Sequence, residues 1–255
     1  MLRSRLRLLL LLNSIMNIYI IVPAYNAASK IVSVFERIPQ EIWKKSPVVI
    51  IVNDGSNDDT AKKIKEIQSR WPEIQVIDKP KNEGYAKAQK DGFLRALAEG
   101  ADIAILLHSD CQYAPEMLPE LLKPLEGETA DIVQGSRMMD KKAALRGGMP
   151  IYKFIANVGL STLENFVYGL NFAEYHSGYM LYSRKALETI PFQKFSNTFH
   201  FDGEMLFVGA KKGLRVKEIP IPTQYADEVS HVKPIQYGFH VLGIMAKYIL
   251  GKYGV

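Results

Sequence analysis

Ile18-Tyr19-Ile20-Ile21-Val22, followed at once by Pro23-Ala24-Tyr25-Asn26, is an unbroken apolar run that stops at a proline and a polar turn. A run of this kind reads as a strand buried on both faces, which belongs in a parallel sheet covered by helices. The pattern repeats outward from it. Ile31, Val34, Phe35 and Ile38 recur at helical spacing and end at Pro39. Residues 48–52 form a second β-branched run, Ile64, Ile67 and Trp71 mark a helix, and residues 74–77 form a third strand. Residues 85–99 read as a helix closed by Gly100, and residues 103–107 as a fourth strand. Met117, Leu118, Leu121 and Leu122 mark a further helix, and Ile132 with Val133 opens a fifth strand. This alternation predicts an α/β fold with a mostly parallel, Rossmann-like sheet flanked by helices.

Beyond residue 140 the pattern changes. Residues 141–148 are basic and contain glycine, and read as a mobile loop. An amphipathic helix over 152–168 follows, then an acidic segment at 202–204, a strand at 216–219 and an aromatic helix from about Ile235. The expected organisation is an N-terminal extension (1–15), one α/β domain (16–225), and a C-terminal loop with an amphipathic helix (226–255). Arg3, Arg5 and Arg7 precede five leucines, 8–12, in the manner of a secretion signal. That run is far shorter than the roughly 20 residues a membrane span requires. Met16 stands directly before the first strand and is the expected native start; the competing reading of 1–15 is a basic-apolar surface anchor.

A chain of 255 residues, 47% hydrophobic and 23% charged, suits one large folded domain. The net charge of +5 is not gathered into long basic runs, which argues against nucleic acid as a partner. It fits either an ordinary solvated surface or attraction to phosphate-bearing substrates and an anionic membrane face. With Cys111 as its single cysteine the chain forms no internal disulfide, and a reducing cytoplasm is compatible.

Ligands of parallel sheets bind beyond the carboxyl ends of the strands. After the first strand, Tyr25 offers a ring to stack on a base and Asn26 an amide. After the second, Asp54 stands at the strand end, where its carboxylate can accept from base N–H or ribose hydroxyls. Gly55 permits a tight turn, and Ser56 can cap the next helix. After the third, Gly84 allows close approach at a helix start, and Lys87 can face a phosphate. After the fourth comes His108-Ser109-Asp110-Cys111-Gln112. Asp110, beside the amide of Gln112, suits a hard cation on phosphate oxygens. His108 either lines that site or, as a ligand, favours Mn2+. Cys111 reads as a packing residue, having no basic neighbour. No glycine-rich dinucleotide fingerprint, phosphate loop or nucleophile elbow is present.

Together these segments resemble glycosyltransferase family 2, the inverting enzymes of GT-A fold, and most of all the branch of polyprenyl-phosphate sugar synthases. The likeness is carried by residues 21–26, 52–56, Asn82 with Gly84, 108–112, Gly135-Ser136-Arg137, Tyr175-His176-Ser177-Gly178-Tyr179 and Phe201-Asp202-Gly203-Glu204. It implies a UDP- or GDP-sugar donor, a polyprenyl phosphate or glycan acceptor, Mg2+ or Mn2+, and work in the cytoplasm, peripherally on the inner face of the membrane. By position, Pro23, Tyr25 and Asp54 would hold the nucleoside, with Asn26, Ser56, Gly84, Lys87 and Ser109 completing the donor site. Asp110 and Gln112 would hold the metal. Arg137 would meet phosphate, the alternative being a surface salt bridge. Lys153 and Asn157 share a helix face that would grip the acceptor phosphate. Asp202 or Glu204 would be the general base, Asp202 being preferred. His231 would close over the diphosphate or stand as an exposed loop histidine. Two departures are Ala27, where relatives carry an acid, and His108, where they carry the first of two acids. They leave open a nucleotide-sugar-binding protein without turnover. The C-terminal helix would lie on a membrane or pack on the core.

Overall fold

The computed structural model describes residues 16–223 and 234–255. Its first half runs β1 (Ile18–Ala24), α1 (Ile31–Glu36), α2 (Gln40–Trp43), β2 (Val48–Asn53), α3 (Thr60–Arg70), β3 (Gln75–Asp78), α4 (Tyr85–Ala98), β4 (Ile103–Leu106) and α5 (Leu118–Glu126). The second half runs β5 (Ile132–Ser136), α6 (Lys141–Arg146), α7 (Ile151–Tyr168), β6 (Met180–Ser183), α8 (Arg184–Thr189), α9 (Phe201–Lys211), β7 (Val216–Pro220) and α10 (Pro234–Ile249).

The strands form one seven-stranded sheet in the order β3-β2-β1-β4-β6-β5-β7. β1 pairs in parallel with β2 and β4, and β5 in parallel with β7. β6 is antiparallel to both of its neighbours, β4 and β5. The continuous apolar run of β1 has the expected cause. Tyr19 and Ile21 point into the core with Phe93, Tyr182 and Phe207, while Ile18, Ile20 and Val22 point into the core with Phe35, Ile105 and Leu122.

Two sequence expectations change. Residues 141–148 are not all loop, because Asp140 caps α6 by accepting from the Ala143 N–H at 2.9 Å. β6 was not expected, and it is the strand that breaks the parallel pattern. α10 packs on the core through Val241, Ile244 and Met245, while Phe239 and Ile249 stay exposed. Among the described residues no helix is long and apolar enough to cross a membrane.

Candidate active site

The loops after β1, β2 and β3 are tied to one another by the residues expected to contact the donor. The Asn26 N–H donates to Ser56 Oγ at 3.0 Å, and Asn26 Oδ1 accepts from the Asn57 N–H at 2.9 Å. The Ser56 hydroxyl donates to Asn53 Oδ1 at 2.6 Å. Gly55 has φ +64°, and a Cβ there would lie 2.2 Å from the Lys81 carbonyl carbon, so only glycine fits this crossing of loops. The buried Asp54 carboxylate accepts from the N–H groups of Glu83 (3.1 Å) and Gly84 (2.9 Å) and from Lys79 Nζ (2.9 Å). Lys79 also meets Glu83 at 2.6 Å and Asp91 at 3.2 Å. Burial alone would lower the Lys79 pKa, but the hydrogen bonds it donates to Glu83, Asp54 and Asp91 outweigh it and hold the ammonium charged. Asp54 thus fixes the entrance of α4, with Tyr25 exposed beside it. Lys87, in the first turn of α4, is ion-paired with Asp91.

At the end of β4 the Ser109 hydroxyl donates to the Pro23 carbonyl at 2.8 Å, binding this loop to the first. Asp110 Oδ1 accepts from the Gln112 N–H at 3.0 Å around Cys111, whose φ is +64°. Among the described residues no group of three or more His, Cys, Asp or Glu side chains is arranged to hold a metal. One carboxylate at a strand end, beside an amide, nevertheless fits a hard cation that takes its remaining ligands from phosphate and water.

His108 is turned to another task. Its Nε2 lies 2.9 Å from the Tyr85 hydroxyl, which donates to Asp202 Oδ2 at 2.7 Å. Burial lowers the His108 pKa despite the charge of Asp110. Tyr113 packs edge-on against the His108 ring at 4.8 Å, and its hydroxyl accepts from the Gly178 N–H at 2.8 Å. Gly178 is required here: a Cβ would sit 2.6 Å from Tyr85 Oη and 2.7 Å from His108 Nε2. Asp202, in the first turn of α9, is raised from 3.8 to about 7. Burial is the cause, and it outweighs the Tyr85 hydroxyl, the neighbouring Gln89 amide and the charge of His200, all of which favour the ionised form. Asp202 Oδ1 is buried with no hydrogen-bond partner among the described residues.

The structure separates the two candidate bases. Glu204 turns the other way, its carboxylate taken up by the Ser196 N–H (3.2 Å), the Ser196 hydroxyl and the Tyr253 hydroxyl. Arg137 is not in a surface salt bridge: its Nη2 meets the fully buried Glu174 at 2.9 Å and the His176 carbonyl at 2.7 Å. Asn157 donates to the same Glu174 at 3.1 Å, so it backs the arginine from the inner face of α7, and Lys153 lies one turn earlier. His231 lies outside the described residues.

Sequence reasoning passed over Lys79, Tyr85, Glu174 and a second buried cluster. In that cluster Glu164 of α7 lies 3.0 Å from His200 Nε2 and 3.2 Å from His176 Nε2. Both histidines meet the Tyr237 hydroxyl of α10 through Nδ1, at 3.0 and 2.8 Å. His176 lies within a quoted motif, and Tyr85 and His200 each adjoin one, which was the only signal available.

The sequence model described as Glycosyl transferase family 2 matches residues 19–191. A UDP-N-acetylglucosamine–dolichyl-phosphate N-acetylglucosaminyltransferase of Methanococcus voltae is 27% identical over 92% of this chain and 97% of its own length. An undecaprenyl-phosphate mannosyltransferase of Micrococcus luteus is 27% identical over 81% of this chain and 83% of its own. Glucosyl-3-phosphoglycerate synthase of Mycobacterium tuberculosis, solved with Mn2+, UDP-glucose and glycerol 3-phosphate, shares the fold. Its TM-score is 0.59 at 20% identity, over 94% of this chain and 81% of that one. With that match over residues 19–191, the chain belongs to glycosyl transferase family 2.

Proposed function

We propose that the protein is an inverting hexosyltransferase that moves a sugar from a UDP- or GDP-sugar to a polyprenyl phosphate at a membrane surface. The observation that carries this reading is Asp202, a buried carboxyl raised to about 7, with one oxygen held by Tyr85 and the other unpartnered. A group poised near neutral pH with a free buried oxygen suits a general base. It takes the proton of an acceptor hydroxyl, or the last proton of an acceptor phosphate, as that oxygen attacks the anomeric carbon. Tyr85 and Gly178 keep the Asp202 carboxylate oriented.

Pro23, Tyr25 and Asp54 frame the nucleoside, with Asp54 acting through the loop it fixes. Asp110 and Gln112 would hold Mg2+ or Mn2+, which when bound would supply positive charge to offset that of a nucleotide diphosphate leaving group. Arg137, oriented by Glu174 and backed by Asn157, sets a positive charge on the acceptor side with Lys153. The names of the Methanococcus and Micrococcus relatives support a lipid-phosphate acceptor. The engagement of His108 with Tyr85 supports an intact pocket over one that has lost a ligand.

Purified protein is incubated with Mg2+ or Mn2+, a panel of nucleotide sugars and undecaprenyl phosphate, and released nucleotide and glycolipid are measured. Nucleotide release matched by glycolipid is expected. Metal-dependent donor binding with no transfer to any lipid or glycan would overturn the reading. Asp110→Asn is expected to abolish metal-dependent donor binding, and binding that survives intact would remove Asp110 from the metal site.

A further inference from the structure

α7 is built inside out. Its buried stripe is Asn157, Ser161, Glu164 and Tyr168, at spacings of four, three and four residues. Its solvent stripe is apolar: Tyr152, Ile155 and Phe166 are 61%, 63% and 84% exposed. A surface helix of a water-soluble domain carries the opposite arrangement. The polar inner stripe is accounted for by the Glu164 and Glu174 networks. Nothing among the described residues accounts for the apolar outer one.

α10 packs beside α7, with Tyr248 edge-on to Tyr168 and Tyr237 against His176. It too turns large apolar groups outward, with Phe239 69% and Ile249 70% exposed. Together the two outer faces expose Tyr152, Ile155, Phe166, Phe239 and Ile249, more large apolar groups than a solvated surface scatters singly.

Charge identifies the occupant. The chain as a whole carries 32 basic and 27 acidic residues. Across residues 140–173 the acids are Asp140, exposed and 4.0 Å from Arg146, and Glu164, which is buried, and residues 234–255 contain none. The same segments carry Lys141, Lys142, Arg146, Lys153, Lys247 and Lys252. Contacts between copies of a chain are depleted in lysine, whereas an apolar face on which cations outnumber exposed carboxylates matches an anionic bilayer surface.

We infer that the outer faces of α7 and α10 form a docking surface for an anionic lipid bilayer, with Phe166 and Phe239 entering the acyl boundary and the lysines and Arg146 meeting headgroups. This deepens the proposed lipid-phosphate activity and rests on it for its purpose, though not for its test. Arg137 and Asn157, which share Glu174 behind α7, would then work next to the membrane.

The full chain is sedimented with vesicles of phosphatidylcholine alone and with phosphatidylglycerol added, beside Phe166→Ser/Phe239→Ser and Lys141→Glu/Lys142→Glu/Arg146→Glu. Binding to the anionic vesicles is expected. It should weaken about tenfold or more in the serine variant, and fall in the glutamate variant towards the level seen with neutral lipid. Nucleotide-sugar binding in solution, unchanged in both variants, certifies the fold. Equal binding by wild type and the serine variant would overturn the inference. So would no vesicle binding, or a wild-type dimer in solution that the serine variant breaks. Transfer to a short, water-soluble prenyl phosphate is measured separately. If it is absent while vesicle binding behaves as expected, the acceptor assignment fails and the docking surface stands.

Discussion

Asp202→Asn is expected to make the folded protein more stable above neutral pH and almost inactive. Burial raises the Asp202 carboxyl from 3.8 to about 7. Each pH unit of that gap is worth about 1.4 kcal/mol, so carrying the ionised group inside the fold costs about 4 kcal/mol. The folded value lies above the unfolded one. The contribution of Asp202 to stability is therefore complete below pH 3.8 and is lost as pH rises to about 7. About 2.5 kcal/mol of the loss falls between pH 5 and pH 8. Asparagine carries no charge to bury, and its carbonyl keeps the Tyr85 hydroxyl bond. Its NH2 replaces the unpartnered Oδ1 and costs about 1–3 kcal/mol where it finds no acceptor. Urea unfolding at pH 5 and pH 8 should show the stability difference shifting in favour of the variant by about 2.5 kcal/mol. A difference that does not move with pH would refute the view that Asp202 is held protonated by burial. Donor binding should persist while transfer falls about 10²- to 10⁴-fold, the usual worth of a general base. Unchanged turnover would remove Asp202 from the chemistry.

Three further outcomes follow from the same geometry. Tyr85→Phe removes the hydroxyl that favours ionised Asp202, so the acid limb of the kcat/KM profile should move up by about one pH unit; a profile that stays in place would detach Tyr85 from the base. Gly178→Ala puts a Cβ within 2.7 Å of both Tyr85 Oη and His108 Nε2. It should cost about 1–3 kcal/mol, and a double-mutant cycle on Tm should show that cost reduced beside Tyr85→Phe, where the hydroxyl is gone; full additivity would contradict the crowding. In Glu164, burial acts to raise the pKa, but the charges of His200 and His176 overcome it and bring the carboxyl from 4.5 to about 2. Its folded value lies below the unfolded one, so its stabilisation is present above pH 4.5 and is lost as pH falls to about 2. Glu164→Gln should lower stability at pH 7 by about 3 kcal/mol in chemical unfolding, and a variant as stable as wild type would show that the pair contributes nothing.

The parts of this fold that were legible in the sequence are those in which one residue's environment follows from its neighbours along the chain. β1, β2 and β4 are covered on both faces, so nearly every position is apolar and the run announces itself. β6 does not: it is four residues long, and nothing in Met180-Leu181-Tyr182-Ser183 reports that it runs antiparallel. The strand-end rule reached Asp54 and Asp110 because it needs only strand boundaries. It could not reach Tyr85, whose role depends on Asp202, 117 positions away, or Glu174, whose partners Arg137 and Asn157 lie 37 and 17 positions earlier. The two acids of Phe201-Asp202-Gly203-Glu204 look equivalent in sequence. On a helix, residues two apart point to different sides, and here one meets Tyr85 while the other meets Ser196 and Tyr253.

The same asymmetry is why the proposed base comes from the second half of the chain. On that proposal β1 to β4 and their loops would supply a nucleotide cradle and a cation carboxylate, but among the described residues no buried acid with an unpartnered oxygen. α9 supplies that acid, and the packing around it sets its proton affinity. His200, two residues before Asp202, draws that carboxyl towards its ionised form, and Glu164 of α7 lies 3.0 Å from His200 Nε2. Tyr237 of α10 touches both His176 and His200. The two helices that turn apolar faces outward are therefore the two whose inner groups hold the histidine beside the base. Glu164→Gln should therefore raise the pH optimum of transfer measured with a water-soluble prenyl phosphate; an optimum that does not move would confine Glu164 to stability alone.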